Sequence, residues 1–287
     1  MGATERTISV NGIDLCVETF GDPADAAILL LHGAGESMLA WDSAFAERLA
    51  AGGRYVVRFD SRDAGRSTTF PVGAPPYGLR DLVADAAALV PALGLDRAHL
   101  VGMSQGSAVA QLVALDHPAL VASLTIASGT PGGPGHDYPE LPPMTDDLAA
   151  FFEGAAASPD WADRAAVIDY LAESLRPFAA ASVPFDLAAH RESAARVVDR
   201  ASDIAAQLTN PYLLDAGAPW RERLREIAVP ALVFHGAEDP LFPPEHGRIL
   251  AREIPGAEFR ALPGTGHEVF PRHTWDAVVP EILAHTR

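Results

Sequence analysis

Gly102-Met103-Ser104-Gln105-Gly106 sets one serine between two glycines, and no other G-x-S-x-G occurs in the chain. An apolar run, AHLVGM (98–103), leads into it and a helix-forming run, GSAVAQLVALDH (106–117), leads out. At such a strand-to-helix turn the serine backbone is strained, and glycines two before and two after remove the side chains that would collide there. The serine oxygen then stands clear of the sheet at the positive end of a helix. A serine hydroxyl is a weak nucleophile until a base takes its proton, so a histidine is required. Of ten histidines, His267 lies in the Gly-rich loop LPGTGHEVF (262–270), directly after the last strand-like run. The base needs a carboxylate to fix its tautomer and stabilise its charged form. VFHGAEDPLFPP (233–244) supplies Asp239 immediately after another apolar run; Glu238 is the rival, less favoured because the residue before Pro240 is better placed to point inward. Acyl transfer also needs donors for the oxyanion. These are the backbone N–H of Gln105, after the nucleophile, and that of Ala34 in the loop HGAGES (32–37).

The elements that must carry these residues are legible as an alternation. TISV-NG-IDLCVETF (7–20) puts Asn11-Gly12 between two alternating runs, a strong hairpin signal. Six short apolar runs follow, AAILLLH (26–32), YVVRFD (55–60), AHLVGM, SLTIAS (123–128), ALVFHG (231–236) and AEFRAL (257–262), each suited to a strand buried on both faces. Helical segments at 41–51, 79–94 (broken by Pro91), 106–117, 244–254 and 274–285 lie between or after them. The expectation is an α/β chain with a mostly parallel, doubly wound, eight-stranded sheet. Residues 130–144, TPGGPGHDYPELPPM, interrupt the rhythm as a linker, and three helical stretches follow at 146–156, 161–178 and 185–208. The chain therefore divides into a core of 1–129 and 216–287 and a helical cap of 130–215 inserted between strands. The cap aromatics Phe151, Phe152, Trp161, Tyr170, Phe178 and Phe185 are expected to form its own small core, the alternative being that they line an apolar pocket.

Composition removes several classes of function. The formal charge is −17, so nucleic acid and anionic membranes are repelled, and neither is expected as a partner. All 21 basic residues are arginine, which excludes P-loop and Schiff-base lysines. The lone Cys16 reads as a packed hydrophobe. Helical H-E-x-x-H spacing, cysteine clusters and a G-x-G-x-x-G after a strand are all missing, so neither metal nor cofactor is expected. MGATERTISV has no apolar h-region, and a cytoplasmic location is expected. The sequence assigns no oligomeric state.

The remaining histidines have quieter readings. His99, His117, His190, His235, His246, His273 and His285 read as packed or surface imidazoles; His32 orients its loop; His136 falls in the linker. DSRDAGRST (60–68) is similar to a D-x-R-G-x-G-x-S segment, with Asp63 where glycine is usual, and its charges are expected to brace one another beneath the site.

On these residues the chain resembles the α/β-hydrolases, and more narrowly the aclacinomycin methylesterase-like serine esterases. FGDPADAAILLL, VVRFDSRDAGRSTT, DRAHLVGMSQG, ALDHP and EILAHTR carry the likeness on both flanks of the cap. The resemblance implies Ser104, Asp239 and His267 as a catalytic triad, Ala34 and Gln105 as oxyanion donors, and a small-molecule ester substrate such as a polyketide methyl ester. The same triad serves haloperoxidase-like perhydrolases, lactonases and carbon–carbon bond hydrolases, and the fold also occurs as a non-catalytic binding protein.

Overall fold

The computed structural model describes residues 4–132, 138–154 and 158–287; His136 of the linker lies outside the described residues. Eight strands form one sheet: β1 (Thr4–Val10), β2 (Ile13–Phe20), β3 (Ala26–Leu31), β4 (Arg54–Phe59), β5 (Ala98–Met103), β6 (Val121–Ala127), β7 (Ala231–Gly236) and β8 (Glu258–Leu262). Their order is β1-β2-β4-β3-β5-β6-β7-β8, with β2 antiparallel to both neighbours and every other pairing parallel. The edge hairpin closes at Val10↔Ile13 through Asn11 (φ +48°) and Gly12 (φ +77°), two left-handed residues as a type I′ turn requires.

Among the described residues the α-helices are α1 (Ser43–Ala51), α2 (Leu79–Ala92), α3 (Gln105–Asp116), α4 (Asp146–Glu153), α5 (Arg164–Ser174), α6 (Leu187–Arg200), α7 (Ile204–Thr209), α8 (Glu245–Glu253) and α9 (Trp275–His285). The continuous apolar runs are explained by the period-two alternation of a strand covered on both sides. Along β3, Ala27, Leu29 and Leu31 face a core shared with α2, α3 and Leu250 of α8, while Ile28 and Leu30 face a second core with Phe45 and Leu49 of α1 and Val278 and Ile282 of α9. β7 divides in the same way, with Ala231 and Val233 on one side and Leu232 and Phe234 on the other. The doubly wound sheet is therefore as expected.

Helices α4–α7 all lie between β6 and β7 in the chain. The stretch 185–208 is two helices, not one: Ala201 turns extended (φ −67°, ψ 133°), and Asp203 caps α7 by accepting from Ala206 N at 2.9 Å. α2 keeps Pro91 within its last turn and ends at Ala92. The aromatics of this insertion do not make its core. Ile168, Ala172 and Ala194 do, with Leu171, Leu187, Ala195 and Val198 against them. None of the six aromatics is buried, since aliphatic residues and alanines fill the α5–α6 contact. Among the described residues no helix is long and apolar enough to cross a membrane.

Candidate active site

The three residues that could do chemistry stand on three loops at the carboxyl edge of the sheet. Ser104 sits between the end of β5 and the start of α3 with φ +51° and ψ −116°, a conformation costly for any side-chain-bearing residue. The surroundings enforce it. A Cβ on Gly102 would come 2.3 Å from the Gly106 carbonyl oxygen, and one on Gly106 would come 2.3 Å from that of Leu31, so only glycine fits on either side. Ser104 N–H donates to Ala127 O at 3.0 Å, tying the turn to β6.

Across the edge, His267 follows β8 in a loop whose backbone is held by the insertion: His267 N–H donates to Phe178 O at 2.8 Å. Its Nε2 lies 2.9 Å from Ser104 Oγ and its Nδ1 lies 2.8 Å from Asp239 Oδ2. Because an ionised carboxylate only accepts, Nδ1 carries the proton and Nε2 is free to receive one from the serine. Asp239 is 2% exposed, and its other oxygen accepts from Leu241 N–H at 3.0 Å and Phe242 N–H at 2.8 Å. Burial opposes its charge, but His267, His235 and the Phe242 N–H outweigh it and hold the carboxyl below the usual aspartate range. Glu238 is turned the other way, accepting from Ser182 N–H at 2.9 Å and from the Ser182 hydroxyl, so it braces the insertion.

The loop 32–37 is equally ordered. His32 ties β3 to the loop after β4: its Nδ1 lies 2.8 Å from Gly33 O, and its Nε2 accepts from Ser61 N–H at 3.2 Å. Glu36 Oε2 accepts from Gly33 N–H at 2.7 Å, closing a turn around Ala34. Burial raises the Glu36 carboxyl above its usual range, against the pull of His32, Gly33 N–H and His267. Among the described residues the backbone N–H groups of Ala34 and Gln105 have no acceptor within the protein. Their flanks are pinned from the insertion, since Gln105 Nε2 donates to Pro211 O at 3.1 Å and Tyr212 OH to Ala34 O at 3.2 Å. Residues 34, 104, 105, 239 and 267 are thus all brought to one edge. A hydroxyl, a base and two unused N–H donors in this setting can support nucleophilic attack on a carbonyl.

The expectation that the charges of 60–68 brace one another fails. Arg62 reaches Asp85 of α2 at 2.6 Å, Asp60 accepts from Arg200 of α6 at 2.6 Å and from Met38 N–H at 2.9 Å, and Asp63 binds Tyr77 OH (2.6 Å) and Asn210 Nδ2 (2.8 Å). Asp60 and Asp63 are buried and Arg62 is half-buried, and a partner on another element satisfies each of them better than a neighbour in the same tight turn. Glu36 and His235 were not singled out as functional residues. The only sequence signal for Glu36 is its place three residues after Gly33, the reach of a turn-closing carboxylate; His235 carries none, since burial in a strand end looks the same for any packed imidazole.

A family model described as the alpha/beta hydrolase fold matches residues 26–274. The chain is 31% identical over 98% of its length to the rhodomycin D methylesterase DauP of Streptomyces sp. (strain C5), 98% of which is covered. It is 27% identical to a 2-hydroxy-6-oxononadienedioate/2-hydroxy-6-oxononatrienedioate hydrolase of Paraburkholderia phymatum, over 93% of this chain and 86% of that one. The solved esterase RhEst1 from Rhodococcus sp. superposes with a TM-score of 0.74 at 23% identity, over 100% of this chain and 98% of that one, a likeness of fold. With the sheet order, the strained serine and these matches in place, the chain belongs to the α/β-hydrolase family.

Proposed function

We propose that the protein is a serine hydrolase that cleaves a carboxylic ester through an acyl-enzyme. His267 Nε2 takes the Ser104 proton as Oγ attacks the ester carbonyl; the N–H groups of Ala34 and Gln105 hold the oxyanion; His267 returns the proton to the departing alcohol. Water, activated by the same imidazole, then frees the acid, and no cofactor enters the cycle. Asp239 holds the imidazole in its Nδ1–H form and balances its charge. The observation that carries this assignment is the unbroken chain from Ser104 Oγ to His267 to Asp239, at 2.9 and 2.8 Å. Residues 130–215 act as the cap, supported by contacts from Phe178, Ser182, Pro211 and Tyr212 to the loops that hold His267, Glu238, Gln105 and Ala34. The full-length likeness to a methylesterase supports a methyl ester of a polyketide or other apolar metabolite as substrate.

Carbon–carbon hydrolysis of a dioate, named for a more distant relative, is the competing chemistry. Two carboxylates would call for free cations. The chain has no lysine, and the arginines beside the carboxyl edge, Arg62 and Arg200, are consumed by Asp85 and Asp60, which favours a neutral ester. A panel of neutral methyl and aryl esters, lactones and an anionic hemisuccinate ester tests both points. Neutral esters should turn over, Ser104→Ala and His267→Ala should each lose several orders of magnitude in kcat, and Asp239→Asn should lose less. Wild-type turnover in Ser104→Ala, or a preference for the hemisuccinate, would overturn the assignment.

A further inference from the structure

His235 stands near the end of β7, four residues before Asp239, with its side chain wholly buried. Nε2 lies 2.6 Å from Phe242 O and therefore carries the ring proton; it also lies 3.4 Å from Asp239 Oδ2, the oxygen that accepts the hydrogen bond from His267 Nδ1–H. Nδ1 is buried with no hydrogen-bond partner among the described residues. Room for it is made by Gly247 of α8, where a Cβ would come 2.5 Å from Nδ1. A phenyl ring would fill this space without the dry Nδ1 acceptor but would strip Phe242 O of its donor, so what the imidazole adds beyond packing is its N–H.

That N–H holds the turn 239–242. Asp239 Oδ1 accepts from the Leu241 and Phe242 amides, Phe242 O accepts from His235, and the Phe242 ring meets His267 edge-on at 5.3 Å and 84°. One turn thus supplies both the carboxylate and a wall of the imidazole's slot. The other imidazole here, His246, is stacked on Phe242 at 5.3 Å and already engaged with Thr130 Oγ1 (2.9 Å) and Pro142 O (2.8 Å), so it cannot substitute. We propose that His235 is a positioning residue for the ester hydrolysis assigned above, clamping turn 239–242 from beneath so that Asp239 and Phe242 keep His267 in register with Ser104. The proposal rests on that assignment for its kinetics, not for its geometry. Burial keeps His235 below the ordinary imidazole range, so the clamp is a neutral donor.

Three measurements on the full chain decide it. Nitrogen chemical shifts of wild-type histidines should show His235 neutral and protonated on Nε2; an Nδ1–H tautomer leaves Phe242 O without its donor and overturns the clamp, whatever any variant does. His235→Phe, compared at equal phosphonate-titrated active sites, should lose kcat by about 10–10²-fold at nearly unchanged KM, with the low-field His267 Nδ1–H proton signal weakened. His235→Gln, whose amide can reach Phe242 O, should recover most of both. A folded His235→Phe with wild-type kcat and proton signal, or equal losses in the two variants, reduces His235 to packing. A wild type that shows both signals yet hydrolyses no ester upholds the clamp and removes the ester hydrolase.

Discussion

At the scale of single residues, two kinds of cost are concentrated around the site. Ser104 accepts a left-handed backbone, and so does Asp63 (φ +62°). Asp63 is kept there by its side chain: Oδ1 accepts from Phe70 N–H at 2.6 Å, and Oδ2 accepts from Tyr77 OH and Asn210 Nδ2. Asp63→Gly relieves backbone strain of about 1 kcal/mol but leaves several buried donors unsatisfied, so a net destabilisation of roughly 2–4 kcal/mol is expected in urea unfolding. A variant as stable as wild type would mean the carboxylate is idle. Glu36 is the counterpart in the loop that carries Ala34. Glu36→Gln keeps an acceptor for Gly33 N–H and should retain activity, whereas Glu36→Ala frees the turn and should lower kcat by roughly 10-fold, less than the 10²–10³ of deleting a donor. Equal activity in both variants would separate Glu36 from the Ala34 N–H. Ser104, Asp239 and His267 were legible in the sequence because type, order and strand-end placement coincide. Glu36 and His235 were not, since their partners lie across turns whose shape no local pattern specifies.

At the scale of elements, the insertion is fastened by buried polar pins along α6 and α7. Arg200, 10% exposed, pairs with the fully buried Asp60; Gln207 accepts from Gly65 N–H at 2.9 Å and donates to Gly35 O at 3.2 Å; Asn210 Nδ2 bonds Asp63. These pins join the insertion to the loops after β3 and β4, the first of which carries Ala34. Arg200→Met removes the cation and strands Asp60, at an expected cost of roughly 3–5 kcal/mol. Hydrogen exchange should accelerate in 200–212 before it does in β5 or β7. Uniform acceleration across the molecule would show that α6 and α7 are not a separately fastened unit. The existence of these helices was legible from their period, but their division at 201–203 and their packing were not. Ala-rich helical faces offer many equivalent contacts, and the α5–α6 pair packs aliphatic residues and alanines in place of the aromatics.

At the scale of the whole molecule, the sheet was legible almost strand for strand, because a strand covered on both faces must be apolar throughout and Asn-Gly must turn. Its burial has a cost in acid. His99 is pushed down to about 4 by desolvation, with nearby cations adding to it, and burial also lowers His190, His235, His246 and His285. Unfolded imidazoles take up protons near pH 6.5 while these folded ones resist. Stability is therefore full above about pH 6.5 and declines as pH falls towards about 4, with His99 alone worth about 3 kcal/mol over that window. Asp239, lowered in the fold, adds stability that disappears only in stronger acid. Denaturant midpoints that stay flat from pH 8 to 4.5 would contradict this. In the proposed reaction one hydroxyl is made reactive by two distant loops, and covalent labelling tests that hydroxyl itself. Treated with a serine-directed fluorophosphonate, the intact protein should gain one adduct, mapped by peptide mass spectrometry to Ser104 and lost in His267→Ala. An unlabelled wild type, or an adduct elsewhere, would contradict the account.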